Sequence, residues 1–253
     1  MKFQINEAST HELQTGFPIT QAVIDGFQSG RVYNFRDNYF IVHKSGFCSL
    51  IQKSPCLEEL IMLFQEDEIP RYIHIYDIGE ILISKIKMQD DLFGLKIRHR
   101  VKLIYSNRQM IDVPSIDGFT LNMITDANFD FISALDFGIK DRFWDNKADF
   151  IKHSNGVVII NSIGEPVCIC YAAAIANDVA EIDILTKGDH RNRGLAKFAV
   201  AGFVNNCIKK NIIPNWDCFE ENEASLRTAK GLLFKEVNRY RLLSLYKKKA
   251  YES

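Results

Sequence analysis

Residues 180–197 read Ala180-Glu181-Ile182-Asp183-Ile184-Leu185-Thr186-Lys187-Gly188-Asp189-His190-Arg191-Asn192-Arg193-Gly194-Leu195-Ala196-Lys197. The start of this stretch alternates, with Ile182 and Ile184 on one face and Glu181 and Asp183 on the other, the pattern of a half-buried strand. From Leu195 the spacing becomes helical: Leu195, Phe198, Ala199, Gly202, Phe203 and Cys207 keep one stripe. Between strand and helix lies Arg191-x-x-Gly194-x-Ala196. The first N–H groups of a helix have no intrahelical acceptor and carry the positive end of its dipole. A pyrophosphate can accept several of them where no side chain blocks it, so Gly194 and Ala196 are small where small residues are needed. Arg191 and Arg193 add positive charge. Of fourteen glycines, Gly194 alone has Arg or Gln three residues before it. A plain strand-to-helix turn with solvated arginines accounts for the same residues. The strand before and helix after give the pattern its added weight.

Further on stand Pro214-x-Trp216-Asp217-Cys218 and Asn222-Glu223-Ala224-Ser225. Together with the loop they resemble the GNAT acyltransferase superfamily, in particular the subgroup that includes the zwittermicin-resistance acetyltransferases. The resemblance spans residues 117–246 and is faint before about residue 110. It implies an α/β (α+β) GNAT fold: a mixed, mostly antiparallel sheet with helices on both faces. Strands four and five of that fold splay apart to admit the arm of acetyl-CoA, the acyl donor. It also implies that Arg191, Asn192, Arg193, Gly194, Leu195, Ala196 and Lys197 hold the pyrophosphate. Backbone near Ile184, Leu185 and Thr186 would hold the pantetheine arm and acyl oxygen. Asn222 would bond the same arm; as a residue type it serves equally well as a helix N-cap.

The whole chain bounds the alternatives. Its 253 residues suffice for one large domain or two small ones, and 47% hydrophobic with 25% charged residues is the composition of a folded protein. A formal net charge of −1 argues against a dedicated nucleic-acid binder. The N-terminus has no charged-then-apolar leader, and no apolar run approaches the ~18 residues of a membrane span. The six cysteines lack CxxC spacing and read as reduced core residues of a cytoplasmic protein; the histidines lack metal-ligand spacing, and no metal is expected. A homodimer is left open.

In chain order, residues 19–27 and 57–65 read as helices. Residues 39–43 and 47–51 read as a hairpin around Lys44-Ser45-Gly46, and 72–76, 81–86 and 97–105 as strands, the last with a basic face. Pro114 and Gly118 punctuate a polar stretch, which sets the expected boundary: an N-terminal α/β domain at 1–111 and the acetyl-CoA-binding catalytic domain at 112–253. The second half reads strand 119–124, helices 126–136 and 143–153, a hairpin of 156–160 with 167–174, the opening stretch, strand 216–219, helix 224–231, and strands 234–237 and 240–246. That order matches the superfamily's. The leftover length and α/β pattern of the first half suggest a second, decayed GNAT-like unit without a phosphate loop.

Acyl transfer from a thioester to an amine needs the amine deprotonated, an oxyanion stabilised and a thiolate released. Glu181 and Asp183, two apart on one strand face, are the candidate bases. Their like charges, ~6–7 Å apart, favour proton uptake by one, and Asp183 is placed ahead as nearer the splay. Many GNAT enzymes carry a tyrosine acid seven residues after the asparagine; here that position is Ala229. Tyr240, Tyr246 and Cys218 are the substitutes considered. The leading expectation is an acetyl-CoA-dependent N-acetyltransferase acting on a small primary amine. Ala229 motivates the alternative, a non-catalytic acyl-CoA-binding or sensing module.

Overall fold

A computed structural model describes residues 13–35, 38–51, 57–66, 69–89, 91–133, 139 and 142–248. Contacts divide the chain into two compact units: residues up to Arg100 with those from Arg239 onward, and Val101–Asn238. The division falls at 100/101 rather than 111/112 because Val101, Leu103 and Tyr105 are buried in the second unit's core. Leu243 and Leu245, near the C-terminus, are buried in the first unit's core.

The first unit contains α1 (Pro18–Ile24), β1 (Gly30–Phe35), β2 (Asn38–His43), β3 (Phe47–Ile51), α2 (Leu57–Leu63), β4 (Tyr72–Tyr76), α3 (Glu80–Lys87), the start of β5 (Phe93–Ile104) and most of β11 (Lys235–Lys247). Its strands lie in the order β1-β2-β3-β4-β11-β5. The expected hairpin is present, β2 pairing antiparallel with β3 around Gly46 at φ 89°. Residues 81–86, expected as a strand, are helical. Leu82, Ile83 and Ile86 are the buried positions, at helical spacing, and Glu80 and Lys85 suit the two ends of the dipole. The expected strands 234–237 and 240–246 are one continuous strand, β11.

The second unit contains β6 (Phe119–Met123), α4 (Asp126–Ser133), α5 (Lys147–His153), β7 (Val157–Asn161), β8 (Pro166–Ala176), β9 (Val179–Thr186), α6 (Leu195–Lys209), β10 (Ile213–Phe219) and α7 (Glu223–Gly231), with the ends of β5 and β11. The expected helix end at 134–136 lies outside the described residues. Strand order is β5-β10-β9-β8-β7-β6. One face carries the main core, where Phe198, Phe203 and Cys207 of α6 and Ala229 of α7 pack with Val101, Cys168, Ala172 and Trp216. On the other, Phe150 of α5 packs against Tyr171 at 5.3 Å and Phe129 of α4 at 5.1 Å between ring centres. Helices therefore cover both faces, as expected. β8 carries a bulge between Ala172 and Ala174, so the alternation of β9 itself is uninterrupted.

Both units share one succession: a hairpin, a helix, a strand parallel to the hairpin's second strand, a helix and another strand. In the first unit β3 and β4 pair in parallel at Phe47↔His74 and Cys48↔Ile75. In the second β9 and β10 pair at Val179↔Ile213, Ala180↔Pro214 and Glu181↔Asn215.

Candidate active site

The pairing of β9 with β10 ends at Glu181↔Asn215, although β9 runs on to Thr186 and β10 to Phe219. The two strands part there, opening the V that the resemblance implied. Between β9 and α6 the chain makes a 3-10 turn at Gly188–His190, takes a left-handed step at Asn192 (φ 61°) and another at Gly194 (φ 78°, ψ 0°), and enters the helix. No side chain caps α6, and Phe198 N–H is the first to bond back, to the Gly194 carbonyl at 3.1 Å. Among the described residues, no acceptor takes the N–H groups of Gly194 to Lys197. A β-carbon at Gly194 would meet only Ile116 Cδ1, at 3.6 Å. The backbone angle, more than the space, is thus what asks for glycine here.

These donors border a cavity of ≈470 Å³. Ile184, Leu185 and Thr186 line it from β9; Arg191, Asn192, Gly194, Leu195, Ala196 and Lys197 from the turn and α6; and Asn222 from the start of α7. Its walls carry Arg191 and Lys197 and no carboxylate, which suits a polyanion. Arg191 Nε donates to the Thr186 carbonyl at 3.3 Å, tying the turn to the strand end. Arg193 is not in the lining; its guanidinium lies 4.9 Å from the centre of the Phe119 ring. Asn222 Oδ1 accepts from Ser225 N–H at 3.1 Å and so caps α7. Cap and ligand roles are compatible, because capping uses the oxygen and leaves the amide donors.

His190, Trp216, Ala224, Ser225 and Thr228 also line the cavity, beyond the residues expected from the sequence. Trp216 Nε1 donates to Ser225 Oγ at 2.9 Å and holds β10 to α7. The signal was present in the quoted motif, but a tryptophan and a serine nine residues apart announce no contact. Ala229 is completely buried in the core and the lining contains no tyrosine. Cys218 is buried in the same core, while Tyr240 packs near Phe17 and Tyr76 of the first unit.

Glu181 is buried at the closed end of the V, 5% exposed. Asp183, past the last pair, is engaged: Tyr171 Oη donates to its Oδ2 at 2.7 Å, and Arg142 Nη1 reaches the same oxygen at 3.0 Å. The structure thus gives Asp183 two specific partners, one of them an arginine. Burial, then the Asp183 charge, holds the Tyr171 hydroxyl well above its usual range, so it remains the donor. Arg142 had no sequence signal, since 41 residues separate it from Asp183. Among the described residues no cluster of three or more metal-ligand side chains occurs.

The GNAT acetyltransferase family model matches residues 25–243. A Bacillus subtilis (strain 168) protein described as the uncharacterized N-acetyltransferase YdfB is 24% identical over 232 residues, 87% of each chain. In fold, a GCN5-related N-acetyltransferase-like protein of Streptococcus suis matches with a TM-score of 0.71 at 18% identity, over 92% of this chain and 94% of that one. A tandem GNAT protein from the clavulanic acid biosynthesis pathway matches at 0.56 and 7% identity, over 85% and 80%. The chain belongs to the GNAT acetyltransferase family. It is an enzyme of the N-acetyltransferase class.

Proposed function

We propose that this chain binds acetyl-CoA in the β9/α6 cavity and transfers its acetyl group to the primary amine of a small molecule. One observation carries the reading: β9 and β10 part after Glu181↔Asn215, and the cavity so opened runs to the unbonded N–H groups that begin α6. Those groups, with Arg191 and Lys197, suit the pyrophosphate. The freed edges of β9 at Ile184–Thr186 and the Asn222 amide suit the pantetheine arm. Glu181, at the closed end, takes a proton from the ammonium form of the acceptor. The neutral nitrogen forms the N–C bond at the thioester carbon, and the C–S bond breaks. The thiolate leaves with the nitrogen's second proton, so no residue at position 229 is required. Asp183, fixed by Tyr171 and Arg142, supplies a stationary negative charge on the same strand face. The buried thiols, free of disulfides among the described cysteines, support a cytoplasmic setting.

Calorimetry with acetyl-CoA and thiol release with an amine panel test this. Glu181→Gln should lower kcat roughly 100-fold and remove the acidic limb of the pH–rate profile, with acetyl-CoA affinity kept. Asp183→Asn should lower kcat by about 10-fold or less. The reverse order would assign the base to Asp183. Binding without turnover on any amine would favour the non-catalytic module, and absence of binding would remove the assignment of the cavity.

A further inference from the structure

Asn215 is the β10 partner of Glu181 in the last pair before the strands part. Its side chain is completely buried, and among the described residues neither Oδ1 nor Nδ2 has a hydrogen-bond partner. A buried amide left in this way costs on the order of 1–3 kcal/mol. In a β-strand an apolar residue of similar size would avoid that cost. Trp216 and Cys218, on the alternate positions of β10, belong to the main core. The period-2 alternation of the strand therefore turns Asn215 to the opposite face, the one Glu181 shares as its register partner.

Direction along the strand decides what this amide can meet. The phosphate-binding donors lie beyond Thr186, at the open end of the V. From Thr186 back to Glu181 the strand covers about 16 Å at ~3.3 Å per residue, the scale of an extended pantetheine arm. A donor anchored at the α6 N-terminus therefore brings its thioester toward the closed end, where Glu181 and Asn215 stand opposite each other. Asn215 stands at the last paired position, one residue before Trp216, which lines the cavity, and the terminal torsion that orients its amide is soft. We propose that Asn215 is a further catalytic residue, whose Nδ2–H donates to the thioester carbonyl oxygen as negative charge develops there. The inference rests on the acetyl-CoA assignment above and adds a side-chain donor that the backbone of β9 does not supply. It also accounts for an otherwise unfavourable residue in the interior: the amide lacks a partner until the donor enters.

The test compares wild type with Asn215→Val and the near-isosteric Asn215→Asp. With carbonyl-labelled acetyl-CoA bound, the infrared band of the thioester carbonyl should move to higher frequency in Asn215→Val as a hydrogen bond is lost. Its kcat should fall roughly 100-fold. Acetyl-CoA affinity should change less than about threefold, and the melting temperature should hold or rise as two unsatisfied polar atoms are removed. Asn215→Asp should be at least as slow, because a carboxylate repels the developing oxyanion. It also keeps the proposal testable if the valine variant fails to fold. An unmoved carbonyl band, or wild-type kcat in either folded variant, would overturn the role of Asn215. Neither result would touch acetyl-CoA binding by the wild-type chain, which stands or falls by its own calorimetry.

Discussion

At Gly194 the backbone sits at φ 78°, where an L side chain crowds its own carbonyl at a cost of about 1–2 kcal/mol. Gly194→Ala should therefore lower stability by about that amount by thermal or urea unfolding. Gly194→Glu should add a negative charge beside the proposed pyrophosphate site and abolish acetyl-CoA binding while leaving the fold largely intact. Wild-type affinity in a folded Gly194→Glu protein would place the phosphates elsewhere. The motif identified this residue from the sequence, but for its small size; the left-handed angle became visible only with the turn folded. Asp183 shows the opposite limit. Its residue type marked it as a candidate base, yet its engagement by Tyr171 and Arg142 depends on two chain segments that no local pattern joins.

Among the elements, α7 carries a residue with two separable duties. Asn222 caps the helix through Oδ1 and lines the cavity. Asn222→Ala should cost about 1 kcal/mol of stability together with acetyl-CoA affinity. Asn222→Asp keeps the capping oxygen and removes the amide donors, so it should restore the stability and not the affinity. Equal affinity for Asn222→Asp and wild type in calorimetry would confine the residue to capping. The element α3 shows where pattern reading fails. Residues 81–86 hold three isoleucines, a type favoured in strands, but Leu82, Ile83 and Ile86 are buried together at helical spacing and the segment is a helix.

Over the whole molecule, burial of thiols couples stability to alkaline pH. Burial holds the Cys168 thiol up at about 11 and Cys207 at about 12, against an ordinary value of 9.0. Below pH 9 both forms of the chain keep these protons. Above it the unfolded chain loses them first, so the stability present at pH 8 declines toward pH 11–12. The steepest loss is about 1.4 kcal/mol per pH unit for each thiol. Melting curves from pH 8 to 11 should show it, and a flat melting temperature would contradict it. The shared topology of the two units also bears on stoichiometry. None of the six glycines in residues 1–100 has Arg or Gln three residues before it, and past the Cys48↔Ile75 pair Tyr76 stacks on Phe17 at 4.0 Å and Phe47 at 5.2 Å. Titration should therefore find one acetyl-CoA per chain, and two would give the first unit a site of its own. A fragment of residues 112–253 lacks Val101, Leu103 and Tyr105 of the second core and is expected not to fold stably.

The sequence by itself determined the elements around the candidate site. The alternation of 181–184, the helical stripe from Leu195 and the glycine between them are local signals, set by side-chain periodicity and backbone sterics over a few residues. They were enough to point to the β9–turn–α6 element and most of the residues lining its cavity. The tertiary structure decided what depends on register and long-range packing: where β9 and β10 part, which carboxylate Tyr171 and Arg142 engage, and that Arg193 turns to Phe119. It also decided that residues from Arg239 onward join the first unit, because a strand's hydrophobic pattern says that it needs a partner and not which one.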